Sequence, residues 1–320
     1  MRNAPLSKNF LTPKQDIDDA KQSLKIAKLF YAALRKEIIY GNPYLNNKEQ
    51  ERLQSHYEVI MNPKKYPPDF AATIYSNRRA PAVRAILKTQ DPVVFDAGCG
   101  YGSESFLFAA LGAKVLAVDI STEHISIALK RKLYFEKEIF GKELNITFEV
   151  ANLNRFVFRE RDISLTWLAS VLAALSNQGD FLRRVYAATK EGGCVMVTDM
   201  NLLNPLFLFK EWRRRQQAKL ASPEFSRHAD FWSMVRRKGR SGARFFPFKD
   251  QGIFDDVQFF TQKTLVALLG EVGFKTSLIS YNGFLSPWFY RNFSPSLEIT
   301  LTKIPFLKVF GYFYFVRSIK

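Results

Sequence analysis

The 320-residue sequence predicts an α/β fold: a seven-stranded, mostly parallel sheet with helices on both faces, a helical N-terminal extension and a basic insertion. Two observations lead there. From residue 93 onward, short runs rich in β-branched and aromatic residues alternate with stretches long enough for helices, the rhythm of parallel strands joined by helical crossovers. Before residue 89 the apolar residues instead recur at steps of three and four, the helical period.

The chain divides into an extension over 1–88, a core over 89–203, an insertion over 204–258 and a return to the core over 259–320. In the extension, Ile17, Ala20, Leu24, Ala27, Tyr31, Leu34 and Ile38 share one face of a first helix, ended by Gly41-Asn42-Pro43. A second helix is predicted over 47–61 and is broken by the proline-rich stretch 62–68. Asp69 caps a third helix, and Pro81 suits the first turn of a fourth that ends near Leu87. Strands are then expected over 93–95, 114–118, 146–150, 163–168 and 194–198, with helices over 101–111, 121–139 and 179–190 between them. The rhythm stops in 204–258, which carries Arg213-Arg214-Arg215, Arg236-Arg237-Lys238, Trp212, Trp232 and Phe245-Phe246. A helix over 261–273, with Gly273 at its C-cap, and strands over 276–281 and 312–317 complete the sheet.

The formal charge of +17 suits a nucleic acid, an anionic membrane surface or an acidic substrate. The two cysteines and three histidines are scattered without metal-ligand spacing. The first twenty residues lack a basic start followed by an apolar run, and no apolar stretch is long enough to span a bilayer. The expectation is a cytoplasmic protein, at most peripheral to a membrane.

The informative segment reads Phe95-Asp96-Ala97-Gly98-Cys99-Gly100-Tyr101-Gly102. A strand enters a tight turn, glycines let the backbone approach a ligand, and the N-terminus of the next helix favours a carboxylate. Asp96 can order this loop or meet an ammonium group. The next strand ends at Asp119, where a carboxylate can accept from both hydroxyls of a ribose. The ligand implied is a ribonucleoside attached to a carboxylate. A nicotinamide dinucleotide would call for a third glycine where Ser103 stands.

These residues resemble motif I of the class I S-adenosylmethionine-dependent methyltransferases, in particular the group with Asp-x-Gly-Cys-Gly-x-Gly. The resemblance covers 85–200 and, more loosely, 259–320. It implies a Rossmann-like core, S-adenosylmethionine as cofactor, and a cofactor site of Asp96, Gly98, Cys99, Gly100, Gly102, Asp119, Ile120, Asn152, Leu153 and Trp167. Asn152 would meet the adenine amino group through its carbonyl oxygen. Tyr75, Arg78 and Arg79 are candidates for the cofactor carboxylate, against the alternative of a surface helix. Ala173-Ala174 stand where many relatives have a His or Glu pair, so no base is expected there.

Asp199-Met200-Asn201-Leu202-Leu203-Asn204-Pro205 resembles the small-molecule and lipid methyltransferases, so the expected acceptor is of that kind. His228 in the insertion is the candidate general base. His124 reads as structural, and His56 as part of a solvent-facing helix. The insertion reads as a solvated face, as a lid over the acceptor or as a membrane-surface patch. An RNA acceptor gripped by its arginines and aromatics, and a non-catalytic binding protein, stand as alternatives.

Overall fold

The structure, a computed structural model, describes residues 19–159, 161–201, 204, 243–245, 257–282 and 313–320. The extension forms α1 (Asp19–Tyr40), α2 (Asn47–His56), a single turn α3 (Glu58–Met61) and α4 (Pro68–Leu87). Asn46 and Glu49 cap each other's backbone N–H at the start of α2, a reciprocal capping box. The third and fourth helices expected from sequence are one helix. Pro81 lies inside α4 rather than at its start, because packing of Tyr75, Ala82, Val83 and Ile86 against the core carries the helix through the missing hydrogen bond.

The core follows in the expected alternation: β1 (Val93–Ala97), α5 (Ser103–Ala110), β2 (Lys114–Asp119), α6 (Thr122–Tyr134), β3 (Ile146–Val150), β4 (Ile163–Ala169), α7 (Gln178–Ala188) and β5 (Thr189–Met200). After β5 come β6 (Ala243–Phe245), β7 (Val257–Phe259), α8 (Gln262–Val272), β8 (Lys275–Asn282) and β9 (Phe313–Ile319). Seven strands form one sheet in the order β3-β2-β1-β4-β5-β9-β8, and β6 pairs with β7 as a separate antiparallel ribbon. Strands β1 to β5 run parallel, while β9 is antiparallel to both of its neighbours.

Both faces of the sheet are covered, so its strands bury alternate residues in opposite directions. Val94, Trp167, Met196 and Phe315 join one apolar cluster with Phe30 and Leu34 of α1 and Val83 of α4. Phe95, Leu168, Val195 and Val316 join the other, with Phe181 and Val185 of α7 and Leu265 of α8. The extension is thus continuous with the core of the sheet.

Helix α6 was expected to run unbroken to residue 139. It passes instead into a π-helical turn over Phe135–Phe140, closed by Gly141 at φ 64°. A π turn brings residues five apart into line. Phe135 and Phe140 both stack on Phe30, at ring distances of 5.6 and 6.5 Å.

Candidate functional site

Strand β1 delivers the chain to the carboxyl edge of the sheet between β2 and β4, where the glycine turn opens. Gly98 and Cys99 both donate their N–H to the Val118 carbonyl, at 2.7 and 3.0 Å, which locks the turn to β2. Gly98 sits at φ 69°, and a Cβ there would lie 2.5 Å from a methyl of Val171 in the loop after β4. Gly100 also has a positive φ, 52°, but a Cβ there would meet no described atom within 4 Å. The first glycine is therefore required by packing. The second leaves an open face on the turn.

Asp119 closes the turn from β2. Its Oδ2 accepts from Gly100 N–H at 2.9 Å, and its Oδ1 accepts from Ser121 N–H at 2.9 Å. His124 Nδ1 lies 3.2 Å from the same Oδ1, and its ring packs on Tyr101 at 4.7 Å. Burial raises the Asp119 pKa, but the contacts from His124, Ser121 and Gly100 outweigh it and leave the carboxyl below its ordinary range. The next residue, Ile120, is 46% exposed, an apolar side chain held at the surface beside the carboxylate.

Asp96 lies under the turn, 2% exposed, and accepts from the Ser105 hydroxyl at 2.5 Å. Burial, with Glu104 and Asp119 nearby, pushes its carboxyl up to about 8. Glu104, in the first turn of α5, is ion-paired to Arg79 of α4, whose guanidinium lies 3.5 Å over the Tyr75 ring. Burial raises Glu104, but Arg79 holds it below its ordinary value. Among the described residues the buried Tyr75 Oη and Arg79 Nε have no hydrogen-bond partner. Helix α4 is thus packed over the turn and is no surface helix. Arg78 points elsewhere: its Nε donates to Thr198 Oγ1 at 3.1 Å, and it lies over the Phe313 ring.

A second brace holds the turn from outside. Arg131 and Glu37, both 0% exposed, form a two-pronged ion pair at 2.8 and 2.6 Å. Arg131 Nη1 then donates to the Tyr101 carbonyl at 2.6 Å and to Ser103 Oγ at 3.0 Å. Tyr57 is hydrogen-bonded to the same Ser103 hydroxyl.

The sequence-predicted residues divide into those that meet at the turn and those that lie apart from it. Asp96, Gly98, Cys99, Gly100, Gly102, Asp119 and Ile120 converge around the turn. Leu153 is 5% exposed in the loop after β3, whose Ala151 N–H donates to the Asp119 carbonyl. Asn152 Oδ1 accepts from Asn154 N–H at 2.9 Å, which leaves its second lone pair and the amide nitrogen to face a ligand. Trp167 is 1% exposed, packed between Phe108 and Phe315 in the core. Its position in mid-strand explains this, because alternation turns its side chain into the sheet face. His228 lies outside the described residues. His56 is exposed, as expected, with its ring edge on Tyr57 and Tyr101. Both cysteines are buried and unpaired, and burial pushes both thiols up.

Sequence reasoning missed Glu37, Arg131, Val171 and the contact of His124 with Asp119. The available signals were an acid within the apolar stripe of the first helix and a histidine one turn into the helix after Asp119.

Residues 88–244 match the family described as a methyltransferase domain. Over 109 residues the chain is 36% identical to the ubiquinone biosynthesis O-methyltransferase of Rhodopseudomonas palustris (strain BisB18), covering 34% of this chain and 39% of that protein. Over 107 residues it is 27% identical to phosphoethanolamine N-methyltransferase 3 of Arabidopsis thaliana, covering 33% of this chain and 20% of that protein. The chain spans less than half of the length of these curated relatives. A solved S-adenosylmethionine-dependent methyltransferase from Mesorhizobium loti aligns with 16% identity and a TM-score of 0.48, covering 76% of this chain and 98% of that one. Residues 88–244 thus match a methyltransferase domain in sequence, and they supply the five parallel strands of the Rossmann-like sheet.

Proposed function

We propose that this chain binds S-adenosylmethionine at the glycine turn and transfers its methyl group to a small-molecule or lipid-like acceptor. The observation that carries this reading is the junction of Gly100 and Asp119: an open, left-handed glycine bonded to an acid at the end of the neighbouring strand. The site fits the cofactor in two further respects. Nothing among the described residues occupies the space a Gly100 side chain would take, and the buried Tyr75 Oη and Arg79 Nε lack partners beside the first turn of α5. When bound, S-adenosylmethionine supplies an electrophilic methyl group on a sulfonium centre.

The chain's own residues hold and orient. Asp119 keeps a lone pair on Oδ2 for a ribose hydroxyl, while Ile120, Leu153 and the Asn152 amide flank the adenine. Gly98 to Gly102 carry the methionine part. Asp96 faces its ammonium group, and Arg79 with Tyr75 faces its carboxylate. Helix α4 keeps water from the turn. Acceptor and methyl donor react by being held in line, which itself lowers the barrier. His228 is the proposed proton acceptor when the acceptor atom carries a proton. The names of the curated relatives, which concern phosphoethanolamine and ubiquinone biosynthesis, support a small-molecule acceptor.

Calorimetric titration of S-adenosylmethionine and S-adenosylhomocysteine into wild type and Asp119→Ala tests the reading. Micromolar binding that weakens about a hundredfold in the variant, roughly 2.7 kcal/mol, is the expected result. Transfer of labelled methyl to a panel of lipids, phenols and amines then identifies the acceptor. Absence of binding to the wild type overturns the reading.

A further inference from the structure

A cavity of about 790 Å³ opens at the other end of the sheet from the glycine turn. Its floor includes Ser164 near the start of β4 and Cys194 in the first half of β5, whereas the turn lies beyond the carboxyl end of β1. Arg84 of α4 and Lys88 at its C-cap line it from one side and Arg317 of β9 from another. No acid is among the described residues that line it. Arg84 and Lys88 are exposed, while Arg317 is only partly so.

Arg317 gives the cavity its chemistry. Its guanidinium lies near enough to the buried Cys194 thiol to oppose the upward push of burial on that thiol, and its buried Nε has no partner among the described residues. An arginine whose Nε is unspent can still grip an oxyanion, because the planar fork matches phosphate and carboxylate. A buried unpartnered donor is also costly, so a ligand that satisfies it gains affinity. Ser280 adds a hydroxyl to the wall, and Leu278, 40% exposed on the open strand β8, adds an apolar surface. The volume is that of sites for small organic molecules.

We propose that this cavity binds an oxyanion, a phosphate or carboxylate carried on a small apolar body, at a site separate from the glycine turn. The proposal does not rest on the methyltransferase reading. Arg317 and Arg84 hold the anion, and Leu278 packs against the apolar part.

The test is thermal melting of the full chain titrated with 1-naphthyl phosphate, with uncharged 1-naphthol, and with dihexanoylphosphatidylglycerol below its micellar concentration. A saturable rise in melting temperature with either phosphate probe, and none with naphthol, is expected. Arg84→Gln and Arg317→Gln should each weaken that binding about tenfold, while S-adenosylhomocysteine titrates both variants as it does the wild type. The tighter of the two phosphate probes tells a soluble ligand from a lipid headgroup. If Arg317→Gln loses its cooperative melt, Arg84→Gln decides, since that side chain is exposed on a helix. No saturable shift with either phosphate probe overturns the proposal, as does binding unchanged in Arg84→Gln or displaced by S-adenosylhomocysteine. Failure of S-adenosylhomocysteine to bind the wild type overturns the cofactor reading alone.

Discussion

Asp96 is the residue whose charge the fold opposes most plainly. Its carboxyl is pushed up to about 8 by burial, so between about pH 4 and about pH 8 the native state keeps a proton that the unfolded chain has lost. Its contribution to stability therefore falls as pH rises through that window. Asp96→Asn has no such proton to lose, and its melting temperature should gain on the wild type steadily from pH 5 to pH 8. A gap that stays constant across thermal melts in that range would refute the assignment. If a ligand ammonium faces Asp96, S-adenosylhomocysteine binding should tighten over the same range in the wild type and lose that dependence in the variant. The glycines separate fold from function. Gly98→Ala meets Val171 and adds the left-handed backbone cost of about 1–2 kcal/mol, and Val171→Ala in the same chain should restore part of the loss. Gly100→Ala meets no described atom within 4 Å, so chemical denaturation should show only the backbone cost while calorimetry shows weakened cofactor binding.

At the scale of elements, the brace from α1 through α6 to the turn couples stability to the site. Removing one partner of a buried ion pair leaves the other charged in the core, at a cost of about 3–5 kcal/mol. Glu37→Ala should therefore destabilise the chain by that amount in urea titrations, and Glu37→Ala with Arg131→Met should recover much of it. The double variant should still bind S-adenosylhomocysteine poorly, since the Tyr101 carbonyl and Ser103 hydroxyl lose the donor that holds them. Of the seven strands of the sheet, sequence reading placed all but β5 within about two residues, because each is a short apolar run bounded by turn residues; β5 starts at Thr189 rather than 194, and β6 and β7 were not foreseen. On α1 the stripe it drew is buried at Ala27, Tyr31, Leu34 and Ile38 but was too narrow. It omitted Phe30 and Glu37, both fully buried, and a glutamate is presumed to face water unless its arginine is known. The π-helical turn after α6 was equally hidden. Its cause is the stacking on Phe30, which lies more than a hundred residues earlier in the sequence.

For the molecule as a whole, the site was legible where ligand chemistry is local in sequence and hidden where it is assembled from distant parts. Gly98 to Gly102 and Asp119 sit within one strand–helix–strand unit, so spacing and the family resemblance together pointed to them. Tyr75 and Arg79 were candidates from sequence, but their meeting with Glu104 was hidden, because it forms only when α4 folds back over the sheet. The shared core also sets how the chain can be cut. Phe30, Leu34 and Val83 pack in one cluster with Phe106 and Trp167, so a chain beginning at residue 89 should bind a hydrophobic dye and lack a cooperative melt. A cooperative transition in that fragment would show an independent core. The position of β9 carries a different consequence, for synthesis. Strand β8 leaves the ribosome before β9, yet among the described strands it is joined to the sheet only through β9. Until β9 emerges, β8 lacks that partner, and the edges of β5 and β8 that β9 will cover can associate with other nascent chains. A stop codon just before Phe313 would delete the seven residues of β9 and, in effect, two strands of the sheet.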